Sequence, residues 1–121
     1  MWRYPNLPRL RVKVDGRDTG LQAFRASSFV ARLFGLLWRR PLERAEALWI
    51  KPCTSVHTLG MRYPIDVVFL DREGAVVGLR SALAPRRLAG ARRARSVLEL
   101  PANRSAELGI ALGARVTLEA A

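Results

Sequence analysis

The chain's one cysteine, its one histidine and one of its two methionines stand four residues apart, as Cys53-x-x-x-His57-x-x-x-Met61. Thiolate, imidazole and thioether are soft donors, and Cu(I) accepts two or three of them, so this series is the candidate metal site. A blue-copper centre also needs a second histidine, which the chain lacks. The same residues suit nucleophilic chemistry, with Cys53 attacking, His57 as its base and Asp66 orienting the imidazole. That geometry needs a helical or tightly turned segment, whereas Pro52 favours an extended approach, and no glycine-rich cradle for an oxyanion or phosphate stands near. The competing account is packing, with Cys53 and Met61 as apolar filler and His57 hydrogen-bonded at a strand end. The balance favours binding over catalysis, and no cofactor is called for.

A second group is a binding surface. His57, Arg62, Tyr63 and Asp66 gather at the start of an apolar run, and Glu99 lies in a second run that can neighbour it. Polar groups converging at the open end of a β fold are a usual setting for a small ligand. The structural alternative is that Asp66 and Glu99, two of ten acidic residues among 21 basic ones, each pair with an arginine. A third group, Arg86, Arg87, Arg92, Arg93 and Arg95, offers a non-specific nucleic-acid surface, in keeping with a net charge of +11. The positive charge comes from nineteen arginines and two lysines, in a chain rich in Ala, Leu, Gly and Val. GC-rich genomes write that composition into all their proteins, so the charge by itself assigns no partner.

The elements that must position these residues are short strands. Residues 10–14 alternate apolar and basic, Asp15-Gly16 turns, and 20–25 return as a hairpin partner. Ser27 and Ser28 precede apolar residues at helical spacing over 29–37, and Pro41 stops any regular structure continuing past Arg40. A strand is expected over 47–50. The clearest hairpin joins 65–70 to 75–79 through Asp71-Arg72-Glu73-Gly74, and its first strand is apolar on both faces beyond Asp66, so it belongs inside a sheet covered on both sides. Residues 85–95 read as a solvated basic loop, 96–100 as a strand, 104–108 as a short helix ended by Gly109, and 115–118 as the last strand. About seven strands and two short helices predict a mainly β, compact sandwich or barrel with helical insertions.

At 121 residues the chain can bury a core as one structural domain. A single cysteine leaves no internal disulfide to suggest an oxidising compartment. The first residues lack the apolar run of a secretion signal, and the best apolar window, 29–38, is too short to span a bilayer. A cytoplasmic protein without a membrane span is the expectation, its partner an unidentified small ligand or protein.

Three groups of residues carry a resemblance. Arg32-x-x-Gly35-Leu36, then Pro64-Ile65-Asp66-Val67-x-Phe69-Leu70-Asp71 with Gly74, then Val97-Leu98-Glu99-Leu100-Pro101 with Gly109-Ile110 and Gly113 beyond it, are similar to the bacterial and archaeal family called domain of unknown function 192 (DUF192). The resemblance covers about residues 21–118. It implies a β-rich fold of jelly-roll type and no established activity, and divides the chain into 1–20, an arm with the first hairpin strand, and 21–121, the family β domain. Many members carry Trp-Met-Lys-Asn-Thr where this chain has His57-Thr58-Leu59-Gly60-Met61, and many begin with a secretion signal. Family inferences about an aromatic patch or an extracytoplasmic site therefore do not transfer.

Overall fold

The computed structural model describes residues 7–27, 41–58 and 61–120. In β1 (Arg9–Val14) the alternation acts as expected: Val12 and Val14 are fully buried and Arg11 is exposed. The Asp15-Gly16 turn leads into β2 (Arg17–Ala26), where Leu21 and Ala23 face the same core as the β1 valines. The strand β3 (Glu46–Ile50) runs parallel to β2, which requires a crossover instead of a tight turn. The helix expected over 29–37 falls in that crossover and lies outside the described residues. After β4 (Ser55–His57) comes β5 (Ile65–Leu70), all six residues of which are buried. It is joined to β6 (Val76–Leu83) through the expected 71–74 turn, and β7 (Leu88–Gly90), β8 (Ser96–Pro101), the one-turn helix α1 (Arg104–Glu107) and β9 (Val116–Ala120) complete the described chain.

Seven strands form one sheet in the order β6-β5-β8-β3-β2-β1-β9, and β4 pairs with β7 as a separate two-stranded ribbon. β5 has a partner on each side, β6 and β8, as its doubly apolar sequence demands. The large sheet curls until its two edges meet. Ala75 bridges Arg115, the Val76 N–H donates to the Ala114 carbonyl at 2.8 Å, and the Val116 N–H donates to the Gly74 carbonyl at 2.8 Å. Gly74 permits this contact, because its φ is +85° and a Cβ there would stand 2.3 Å from the Val116 carbonyl oxygen. The result is a mainly β half-barrel.

Strand alternation then sorts the apolar residues. Val12, Val14, Leu21, Val68, Leu70, Leu98, Leu100 and Val116 fill the inside of the curl. The outer face carries two smaller clusters, one of Ile65, Val67, Phe69 and Val97 under the β4–β7 ribbon, the other of Phe24, Leu42, Leu48 and Ile50. The ribbon is where expectation and structure part: residues 85–95 are no simple solvated loop, since Leu88–Gly90 pairs with Ser55–His57 and Ala89 and Ala94 are buried. Three-residue strands carry too little periodicity to be read from a single sequence.

Candidate functional site

Asp66 is fully buried yet meets four donors. Oδ1 accepts from the Ala82 N–H at 2.7 Å and the Asn103 N–H at 2.9 Å. Oδ2 accepts from the Ser105 N–H at 2.9 Å and the Ser105 hydroxyl at 2.5 Å. These partners come from the end of β6 and from α1, so the carboxylate ties helix and hairpin across one end of the half-barrel. The expected arginine partner is replaced by three backbone N–H groups and one hydroxyl.

Glu99, also buried, sits elsewhere. In the β5–β8 register Asp66 stands opposite Leu100 and Val67 opposite Glu99. Leu100 belongs to the inner cluster and Val67 to the outer one, so successive positions put Asp66 inside the curl and Glu99 on the outer face. The two carboxylates do not share a pocket. Tyr63 packs against the outer cluster, while Arg62 and His57 are exposed. His57, on β4, and Tyr63 thus belong to the outer side with Glu99, and Asp66 is parted from all three by the sheet.

The soft-ligand series divides as well. Cys53, Val56 and Met61 all pack against the outer cluster, and the Cys53 thiol donates to the Ser55 carbonyl at 3.0 Å. His57 comes directly after Val56 in the extended β4, so its exposed side chain leaves the strand on the other face. No group of three His, Cys, Asp or Glu side chains able to hold a metal occurs among the described residues. Of the arginines, Arg86, Arg87, Arg92, Arg93 and Arg95 are all exposed, around and beyond β7. What anchors that region is Thr58, which is fully buried. Its hydroxyl donates to the Ala84 carbonyl at 2.7 Å and accepts from the Arg87 N–H at 2.8 Å. Nothing in the sequence around Thr58 signals that role.

Among the described residues, the other end of the half-barrel is open. Along β5 the chain passes from Asp66 at the closed end to Leu70, about 13 Å away at strand rise. There a cavity of about 450 Å³ opens, with Trp49, Leu70, Val116 and Leu118 as apolar walls and Lys51, Arg72, Arg95, Asp71 and Glu73 at its rim. Trp49 faces inward because it stands opposite Leu98 of the inner cluster. Its ring carries two cations, the Lys51 ammonium at 5.4 Å and the Arg25 guanidinium at 5.6 Å from the centroid. The Trp49 indole N–H is shut from solvent and has no acceptor among the described residues. Of the two rim acids, Asp71 is engaged by its own turn, Oδ1 accepting from the Glu73 and Ala75 N–H groups at 2.9 Å each. Lys51, Arg72 and Arg95 enter no ion pair among the described residues, so the rim keeps a positive balance.

Sequence reasoning named Arg95 but missed Trp49, Lys51 and Arg72 as members of one site. The signal available was an aromatic residue in a strand with a lysine two positions on, which becomes a site only when β9 curls round to face it.

Residues 10–118 match the family DUF192, described as an uncharacterized ACR. UPF0127 protein PF1050 of Pyrococcus furiosus is 32% identical over 107 residues, which is 84% of this chain and 90% of that one. Two crystal structures share the fold at 22% identity. One, described as a candidate transcription regulator from Sinorhizobium meliloti 1021, superposes with a TM-score of 0.79 over 96% of this chain and 98% of its own. The other, a protein of unknown function from Novosphingobium aromaticivorans, gives 0.76 over 96% of this chain and 91% of its own.

Proposed function

The chain belongs to the DUF192 family, and from that premise we propose that it is a non-enzymatic binding module that holds a small ligand in the open end of the half-barrel, against Trp49. The observation that carries this reading is the asymmetry of the two ends. Asp66 and α1 plug one end with four hydrogen bonds, while among the described residues the other leaves about 450 Å³ beside an aromatic wall. That volume lies within the usual range for small-molecule pockets. The dispersal of Cys53, His57 and Asp66 over separate faces supports binding over nucleophilic chemistry. No described helix is long and apolar enough to cross a membrane.

The reading is tested by native mass spectrometry of protein taken directly from its host. Wild type should retain a small mass that denaturation releases. A Leu118→Trp variant, which puts an indole into the open end, should fold and lose that mass. Retention of the same mass by folded Leu118→Trp would contradict the site.

A further inference from the structure

The chemistry of the open end narrows what it binds, on the footing that this end is the binding site. We propose that the ligand is an amphipathic organic anion, with a planar apolar body against Trp49 and a carboxylate or similar head at Lys51 and Arg95. Three observations converge on this class.

The walls come first. Trp49 and Leu118, both partly exposed, present an aromatic face and an aliphatic edge above the buried Leu70 and Val116, a surface that gains from covering by apolar area and offers little to a bare inorganic ion. Next is the rim. Lys51, Arg72 and Arg95 are exposed and have no ion pairs among the described residues. Asp71 turns one carboxylate oxygen to backbone donors, which leaves Glu73 as the acid without a turn to satisfy. The rim thus sets three cations against two carboxylates, and an anion is the partner that answers the positive surplus. The third observation is the indole. A donor withdrawn from water without an acceptor is an unmet requirement, and the described protein supplies none for Trp49. Lys51 and Arg25 lie against that ring on long, flexible stems. A ligand that draws the Lys51 ammonium to its head group moves one of these stems and brings an acceptor oxygen to the same corner.

The head group distinguishes this proposal from the broader reading, and the test separates the two. Full-length protein labelled with 15N is titrated with 1-naphthoate, with the neutral isostere 1-naphthalenemethanol, and with inorganic phosphate, the Trp49 indole resonance being assigned from Trp49→Phe. Naphthoate should move that resonance and the amides of residues 71–74 saturably. It should bind at least about tenfold more tightly than the alcohol, the ratio expected of one charge-assisted contact, and more tightly than phosphate. Lys51→Gln combined with Arg95→Gln should abolish the preference for naphthoate over the alcohol while leaving the alcohol's own binding in place. Both side chains are exposed, so the fold should survive, as far-UV circular dichroism would verify.

Equal binding of alcohol and naphthoate at Trp49, or a preference that survives the double substitution, would overturn the anion while leaving the open end as a site. Phosphate binding as tightly as naphthoate would overturn the apolar body. The absence of any saturable change at Trp49 with all three probes would overturn both the anion and the site.

Discussion

Asp66→Asn replaces one carboxylate oxygen by an amide that donates. Whichever side the amide takes, one oxygen remains for a set of groups that all now donate: the N–H groups of Ala82, Asn103 and Ser105 and the Ser105 hydroxyl. The least costly arrangement puts the amide at the Oδ2 position, where the Ser105 hydroxyl can rotate to accept. The Ser105 N–H cannot, and a buried donor without an acceptor costs about 1–3 kcal/mol. The two bonds remaining on oxygen lose charge assistance, about 1 kcal/mol each. Removing a buried charge returns part of this, since the carboxylate no longer has to be desolvated. The net expectation is about 3 kcal/mol of lost stability. With a urea slope of about 1.5 kcal/mol per molar, the unfolding midpoint should fall by about 2 M. Amide exchange at Ser105 should accelerate most, because its N–H loses its acceptor outright, and exchange at Ala82 and Asn103, whose bonds remain but lose charge assistance, should accelerate less. A midpoint within about 0.3 M of wild type, or uniform acceleration of exchange, would refute the assignment of Asp66 as the tie that closes this end.

Two further predictions bear on the closure and on the arginines. Gly74→Ala should destabilise by at least about 2 kcal/mol through backbone strain and a forced retreat of β9, and should speed exchange at Val76 and Val116. Gly16→Ala is its control, since Gly16 has φ +81° but nothing within 4 Å of a Cβ; equal costs in a denaturant titration would contradict the close approach at Gly74. Replacing Arg86, Arg87, Arg92 and Arg93 by glutamine should leave stability within about 0.5 kcal/mol, as for most surface changes. It should also weaken nucleic-acid binding only in the steeply salt-dependent, sequence-indifferent manner of phosphate contacts, and sequence-selective binding that persists at high salt would favour nucleic acid over a small ligand.

Features that depend on local pattern were legible in the sequence. The run 65–70 is apolar on both faces beyond Asp66, and β5 is flanked and fully buried; the turn at Asp71 to Gly74 and the helix begun at Arg104 come from residue types alone. The strands β4 and β7 were not legible, because three residues give no period and their pairing spans a long separation. The candidate site was harder for the same reason. Asp66 and Glu99 are both buried acids, but the face each takes depends on the register between β5 and β8, which neither strand sets alone and which the intervening hairpin and ribbon do not announce. Trp49 acquires its neighbours only through a parallel pairing that brings Arg25 alongside and a curl that brings Leu118 across. Tertiary closure, and no local signal, makes that end of the sheet a cavity.

The binding site in the open end is tested most directly by the position of the bound molecule in a crystal of protein isolated from its own host. Density is expected in the open end, stacked on Trp49 between Leu70 and Leu118, with a polar head toward Lys51 and Arg95. A molecule seated instead on the outer face, beside Tyr63 and Glu99, would contradict that placement.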